Sequence, residues 1–222
     1  ALILLKEPVL SAEERKNHRN RFTFKDLQEI LLRPQTGLAI LLFFLVTTGF
    51  SQLEATFALF VLARYGLDAQ HAGFILALMA LVMVFIQGGA IGRLVQKFGE
   101  PKLILMGSAL MTFALLTSSL VAPLSLFVSA LLVQALGYAM TNPALSSLTS
   151  RNAPTGFQGA TLGIYQSAGS LGRMIGPLTA GFLFDHYGSK YPLWSASFLF
   201  LMCALLMGSF SQTWNVENQK MD

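Results

Sequence analysis

Six apolar runs, each about as long as a helix that crosses a bilayer, constrain this chain of 222 residues more than any other feature. They cover residues 38–63, 72–91, 103–121, 124–148, 159–184 and 192–210. At 1.5 Å per residue, a run of this length spans ~30 Å of hydrocarbon. Lipid offers no partner to a backbone N–H or C=O, so such segments are expected to be helices that satisfy themselves internally. Turn-forming stretches separate them: RYGLDAQH, QKFGEPK, Ala122-Pro123, RNAPTG and DHYGSKY. Charged residues make up 12% of the chain, against roughly 25% in soluble domains. Too little polar surface remains to cover a soluble core. The expected fold class is an all-α membrane protein with six transmembrane helices.

The flanks are read separately. The apolar residues 1–5 are too few for a span and are expected to be the end of a truncated helix, with the chain a fragment of something longer. Residues 6–37 then form the one long polar segment. Within it, Phe24, Leu27, Ile30 and Leu31 fall at amphipathic helical spacing. That segment is expected to lie along the membrane surface and to end at Pro34. Residues 211–222 are expected to be a tail. Charge gives an orientation. Placing residues 6–37 in the cytoplasm puts Lys6, Arg15, Lys16, Arg19, Arg21, Lys25, Arg33, Arg93, Lys97, Lys102, Arg151 and Lys220 on that side. Only Arg64 and Lys190 fall on the other. This bias puts both ends of the six-helix unit in the cytoplasm. It also accounts for the net charge of +4 without any nucleic-acid partner.

Other chemistries find little support. Cys203 is the single cysteine, so no internal disulfide forms, and its apolar surroundings favour packing over reactivity. His18, His71 and His186 all fall in expected loops, which leaves no Cys/His metal cluster. No phosphate-binding G-x-x-x-x-G-K-[ST] pattern occurs. Asp185 beside His186 reads as an exposed loop pair. No convergent acid, base or metal set suggests an enzyme, and no catalytic residue, metal or cofactor is assigned.

The two helix triplets, 38–121 and 124–210, match in length and order, and such repeats mark transporter architectures. Residues 88–102, GGAIGRLVQKFGEPK, join the second and third runs. Gly88, Gly89 and Gly92 permit close backbone approach, Arg93 and Lys97 share a helical face, and Gly99 permits a tight turn. This segment resembles the short basic loop of the major facilitator superfamily in its C-terminal-half version. The usual form carries an aspartate shortly before the basic residues, and this chain has Gly92 there. The resemblance extends over the whole chain, with 1–5 as the end of helix six, 6–37 as the central loop and 38–210 as helices seven to twelve. It implies a gating role for Gly88, Gly92, Arg93, Lys97 and Gly99, and a facing N-terminal six-helix half.

Arg173 is the only charge between residues 156 and 184. An arginine near the midplane costs a few kcal/mol or more unless it faces something polar. Gln166, Ser170, Arg173 and Pro177 fall within about 60° on a helical wheel. Beside them runs a stripe of small residues, Gly169, Gly172, Gly176 and Ala180, spaced for close helix packing. The helix is therefore expected to pack by its glycines and to turn its polar stripe toward a wet interior. The stretch GRMIGPLTAG is also similar to the glycine–proline pattern of antiporter helices in the family. On the fourth run, Gln134, Tyr138, Thr141 and Asn142 form a polar stripe ahead of Pro143. Tyr165 and Gln166 can face the same cavity, though interhelical hydrogen bonding would equally explain these residues. On the first run, Thr48, Gln52 and Thr56 share one face while Thr47 and Glu54 point nearly opposite. Both faces cannot line one cavity. Glu54 either reaches the headgroup region or carries a proton within the protein.

The resemblance implies a secondary transporter working by alternating access, with the proton gradient as energy source. The subclass it looks most like is proton-coupled efflux of amphipathic small molecules, of the tetracycline and multidrug type, in a plasma membrane such as the bacterial inner membrane. Two alternatives stay open: an importer of sugars or organic anions, and a non-transporting assembly or receptor protein on the same fold. The partners expected are the lipid bilayer, a small-molecule substrate and the missing half.

Overall fold

A computed structural model describes residues 24–154 and 156–218, and these residues are helical with short turns between. The expected helix end at 1–5, the first part of the polar segment at 6–23 and residues 219–222 lie outside the described residues. In chain order, the helices are α1 (Phe24–Leu32), α2 (Pro34–Tyr65), α3 (Ala69–Phe85), α4 (Ile91–Phe98), α5 (Glu100–Leu120), α6 (Leu124–Arg151), α7 (Gln158–Tyr187) and α8 (Tyr191–Asn218). A π-helical turn, Ile86–Ala90, joins α3 to α4 without a break in the rod.

Local chemistry sets the boundaries. Pro34 occupies the first turn of α2 and drives Arg33 into extended backbone, which separates α1 from α2. Ile30 of α1 is buried, and a Cβ on Gly37 would overlap the Leu31 carbonyl oxygen. So α1 meets the start of α2 at a tight bend. Gly66 (φ 67°) closes α2 in the left-handed region, and its N–H returns to the Leu62 carbonyl. Asp68 caps α3 by accepting from the backbone N–H of His71 at 3.0 Å. That bond holds the exposed Asp68 carboxyl below its ordinary range. Gly99 (φ 76°) makes the turn between α4 and α5.

The expected loop of 88–102 is corrected here. Gly88 lies in the π turn, and Gly92, Arg93 and Lys97 lie in α4. Only Gly99 is a turn. Nor do the glycines make a close approach within this chain, because a Cβ on Gly88, Gly89 or Gly92 would meet nothing within 4 Å. The apolar periodicity runs on past residue 91, so the helix continues until Gly99 stops it.

Helix α2 is the spine. Glycines draw α7 against it: a Cβ on Gly169 would enter the Phe43 ring, one on Gly172 would lie 3.1 Å from the Phe44 carbonyl, and one on Gly176 would lie 2.7 Å from Ser51 Cβ. Gly107 and Gly137 do the same for α5 and α6, a Cβ on Gly137 lying 2.6 Å from the Gly107 carbonyl. Helix α8 packs on α5 and α2. Trp194 Nε1 donates to Ser119 Oγ at 2.8 Å, and Ser197 Oγ donates to the Thr112 carbonyl at 3.0 Å. Cys203 is buried at this seam and receives a hydrogen bond from Ser108. At one end of the bundle, Arg64 and Tyr65 donate to the exposed carbonyls that finish α5. At the other, Thr36 Oγ1 donates to the Asn152 carbonyl at 3.0 Å.

Five stretches have the length and apolarity to cross a membrane: Pro34–Tyr65, Ala69–Phe98, Glu100–Leu120, Leu124–Arg151 and Tyr191–Phe210. The expected fifth span is a helix of 30 residues outside that set, diluted by glycines, Gln166, Ser170 and Arg173. It runs beside α2 all the same. Helix α3 lies at the edge of the bundle, burying only Ala72 and Met79. Its Phe74, Val84 and Phe85 are exposed.

Candidate functional site

Between α2, the π turn, α6 and α7 lies a cavity of about 340 Å³. Tyr138, Asn142, Pro143 and Ser146 of α6 line it, with Tyr165, Gln166 and Arg173 of α7 opposite. Phe43 of α2 and Gln87 of the π turn complete it. The α6 residues Tyr138, Asn142 and Ser146 recur every four positions and so share one face. Arg173 is the one charged group in the lining.

Two ring pairs form the wall between α2 and its neighbours. Phe43 stacks on Tyr165 with centroids 3.8 Å apart and planes within 10°. Phe50 stacks on Tyr138 at 4.0 Å and 21°. Phe43, Thr47, Phe50 and Glu54 follow one another at intervals of four, three and four, so one face of α2 presents all four. Glu54 is exposed at the far end of that face. The Arg173 charge reaches both Glu54 and Tyr138 electrostatically. Among the described residues, Arg173 has no acid within ion-pair distance; Nη2 donates to Ser170 Oγ in a long bond of 3.4 Å. Ser170 Oγ in turn donates to the Gln166 carbonyl at 3.0 Å.

Three side chains on this side of the molecule are buried without hydrogen-bond partners among the described residues: Thr47 Oγ1, both amide atoms of Gln134 and Tyr165 Oη. Gln134 is 0% exposed and Tyr165 1%. Buried polar groups are normally satisfied, and unmet ones carry a cost.

The candidates from sequence thus separate into groups. Tyr138, Asn142, Tyr165, Gln166 and Arg173 line one cavity; Ser170 is bonded to Arg173, Glu54 stands outside the lining within electrostatic reach of Arg173, and Gln134 lies one turn along α6. Thr141 leaves this stripe and packs against Gly107, bonding the Gly137 carbonyl. Gln52 lies across the α2–α7 seam, where Nε2 donates to Thr179 Oγ1 at 2.9 Å. Pro177 is exposed beside Arg173. Sequence reasoning passed over Phe43, Phe50, Gln87 and Ser146. The first two share the period of Glu54, and Gln87 is the polar residue in the run VFIQGG, so signals were present.

At the end of the bundle that holds Gly99, an acid does appear near the basic residues. Glu100, 7% exposed, accepts from Arg151 Nη1 at 2.7 Å and from Ser147 Oγ at 3.0 Å. This ties the start of α5 to the end of α6. The acid missing at Gly92 is thus matched by one eight positions later, with a different partner.

The family model described as Major Facilitator Superfamily matches residues 1–177 and 88–215. Multidrug resistance protein 2 of Bacillus subtilis (strain 168) is 32% identical over 209 residues, covering 91% of this chain and 50% of that protein. Tetracycline resistance protein, class E, of Escherichia coli is 30% identical over 201 residues, covering 87% and 46%. The crystal structure of the human organic anion transporter MFSD10 (TETRAN) superposes with a TM-score of 0.73 at 26% identity, over 85% of this chain and 43% of that one. The chain spans about half the length of the relatives it matches.

Proposed function

The chain belongs to the Major Facilitator Superfamily, and from that premise we propose that it supplies one half of a secondary transporter that exports amphipathic small molecules against an inward flow of protons. Alternating access around a cavity shared by two six-helix halves is the mechanism that fits such a fold. The observation that carries the reading is the cavity itself, where stacked rings give an apolar, polarisable wall and Arg173, Gln166 and Asn142 give a few fixed polar contacts. Ligand sites for drug-sized molecules have this composition. Similarity to a multidrug resistance protein of Bacillus and a tetracycline resistance protein of Escherichia supports drugs as the substrates.

Glu54 is the group we assign to protons. With Glu54 ionised, its charge offsets that of Arg173 and the cavity can take up an uncharged or cationic amphiphile. With Glu54 protonated, Arg173 is left uncompensated and the cavity turns positive, which disfavours that substrate. Proton uptake and substrate binding then oppose each other, as exchange requires. The bias of basic residues supports a cytoplasmic Gly99 end in a plasma membrane, the bacterial inner membrane being the setting we favour.

A second reading follows from Arg173 being the one charge in the lining. It suits an anionic group, and the superposed human protein is an organic anion transporter. Flux in proteoliposomes containing both halves, driven by an imposed pH gradient, tests both readings. Arg173→Ala should cut transport at least ~10-fold with thermal stability within ~0.5 kcal/mol of the parent, because the side chain is exposed. Arg173→Lys should restore only part of it, lacking the planar fork of donors. A selective loss of anionic substrates would favour the second reading, while normal flux in Arg173→Leu would defeat both.

A further inference from the structure

A second groove, of about 520 Å³, lies across the α2–α7 seam from the Arg173 cavity, between α2, α7 and α8. Phe44, Leu178, Phe182 and Leu199 form its walls, and no charged residue lines it. At 100° per residue, Leu178 and Phe182 point about 140° and 180° away from Arg173. Both are exposed. If Arg173 turns to a polar interior, this groove opens toward lipid.

Its floor is polar, and nearly every hydrogen there has a place. Thr48 Oγ1 donates to the Phe44 carbonyl at 2.7 Å. Thr179 Oγ1 donates to the carbonyls of Ile175 (3.0 Å) and Gly176 (2.9 Å). Its hydrogen is thereby used, so Thr179 can only accept from the Gln52 amide, which fixes the NH2 toward Thr179. Gln52 Oε1 is left pointing the other way. It is without a partner among the described residues, in a side chain 2% exposed that lines the groove. The floor therefore holds a buried acceptor without a partner, Gln52 Oε1, with the Ser195 hydroxyl also in the lining.

We propose that this groove binds an uncharged amphiphile dissolved in the bilayer, with its apolar body between Phe44, Leu178 and Phe182 and a hydroxyl or amide N–H donated to Gln52 Oε1. An ion is disfavoured because no opposite charge lines the groove to offset its desolvation. A pure hydrocarbon leaves the acceptor unmet. The occupant is taken to be a lipid component and not the exported substrate, since the groove and the Arg173 cavity open on opposite sides of the seam.

The test reads labelling and not flux, so its outcome is independent of the transport reading. The full chain in lipid nanodiscs is exposed to three probes with a mid-chain diazirine: hexadecanol, hexadecane and hexadecanoate. Photo-adducts are then mapped by mass spectrometry. Adducts within 175–183 and 195–199 should favour the alcohol over the alkane by about fivefold, the value of one ordinary hydrogen bond. The carboxylate should not exceed the alkane. Gln52→Leu should reduce the alcohol to the level of the alkane. Leu178→Trp, a change at an exposed position that fills the groove, should suppress both and serves if Gln52→Leu does not fold. Equal labelling by alcohol and alkane in the parent would overturn the proposal, as would an alcohol preference that survives Gln52→Leu. Absence of adducts from both probes would mean that protein covers the groove, and would overturn it as well.

Discussion

Gly176 shows how much one missing methyl decides. An added Cβ there would lie 2.7 Å from Ser51 Cβ and 2.8 Å from the Thr48 carbonyl, both parts of α2 that cannot yield cheaply. Gly176→Ala is expected to cost about 1–3 kcal/mol by overpacking, read as a lowered unfolding midpoint in detergent. Gly163 lies on the same helix with nothing within 4 Å of its Cβ. Gly163→Ala should be neutral, or stabilising by a few tenths of a kcal/mol to ~1 kcal/mol through helix propensity. Equal effects at the two positions would mean that the seam is looser than drawn. The stripe of small residues was legible because its spacing alone places it on one face. Its partner on α2 was not, since Phe43, Thr48 and Ser51 carry no mark that pairs them with glycines 120 or more residues away.

Among elements, the π turn at Ile86–Ala90 has the clearest consequence. An i→i+5 turn holds one residue more than an α-turn, and such bulges recur at functional sites. Here the bulge contains Gln87, which lines the Arg173 cavity. Deleting Gly88 should let the rod close into a regular α-helix while the faces of α3 and α4 keep their directions. In a cysteine scan, reactivity across 91–98 should keep its phase while Gln87→Cys loses aqueous access. A scan shifted by one residue would instead show the turn to be no bulge. The α5–α6 hairpin carries a different device, the Glu100–Arg151 pair, with Glu100 buried and Arg151 largely exposed. A double-mutant cycle of Glu100→Gln with Arg151→Ala should give a coupling of about 1 kcal/mol, falling in high salt. Coupling near zero would leave Ser147 as the partner that matters.

For the whole molecule, the exposed Arg173 stripe is the surface that the facing half we propose would cover. Residues 38–210 alone are expected to insert but to show no saturable flux as a monomer. Orientation is testable in a Cys203→Ala background, since that buried thiol then drops out. An impermeant thiol reagent added outside should label Asp68→Cys and spare Lys97→Cys; the reverse pattern would invert the proposed topology.

Apolar runs of suitable length with glycine and proline between them are local properties, so the sequence alone determined an all-α fold with helices long and apolar enough to cross a membrane. It also determined that Arg173, Gln166 and Ser170 share a face, because helical geometry is set by the backbone and not by neighbours. Which face of α2 meets that stripe was a different matter. Thr47–Glu54 and Thr48–Gln52 are equally polar and equally periodic, and both are compatible with any helix of this kind. Only packing decided between them. The glycines of α7 bring it onto the Phe43–Thr48–Ser51 seam, and that contact sends Glu54 to the Arg173 side and Gln52 to the far groove. Likewise, the acid that holds Arg151 came from Glu100 and not from the position of Gly92, because an ion pair needs proximity in space and not a place in a motif.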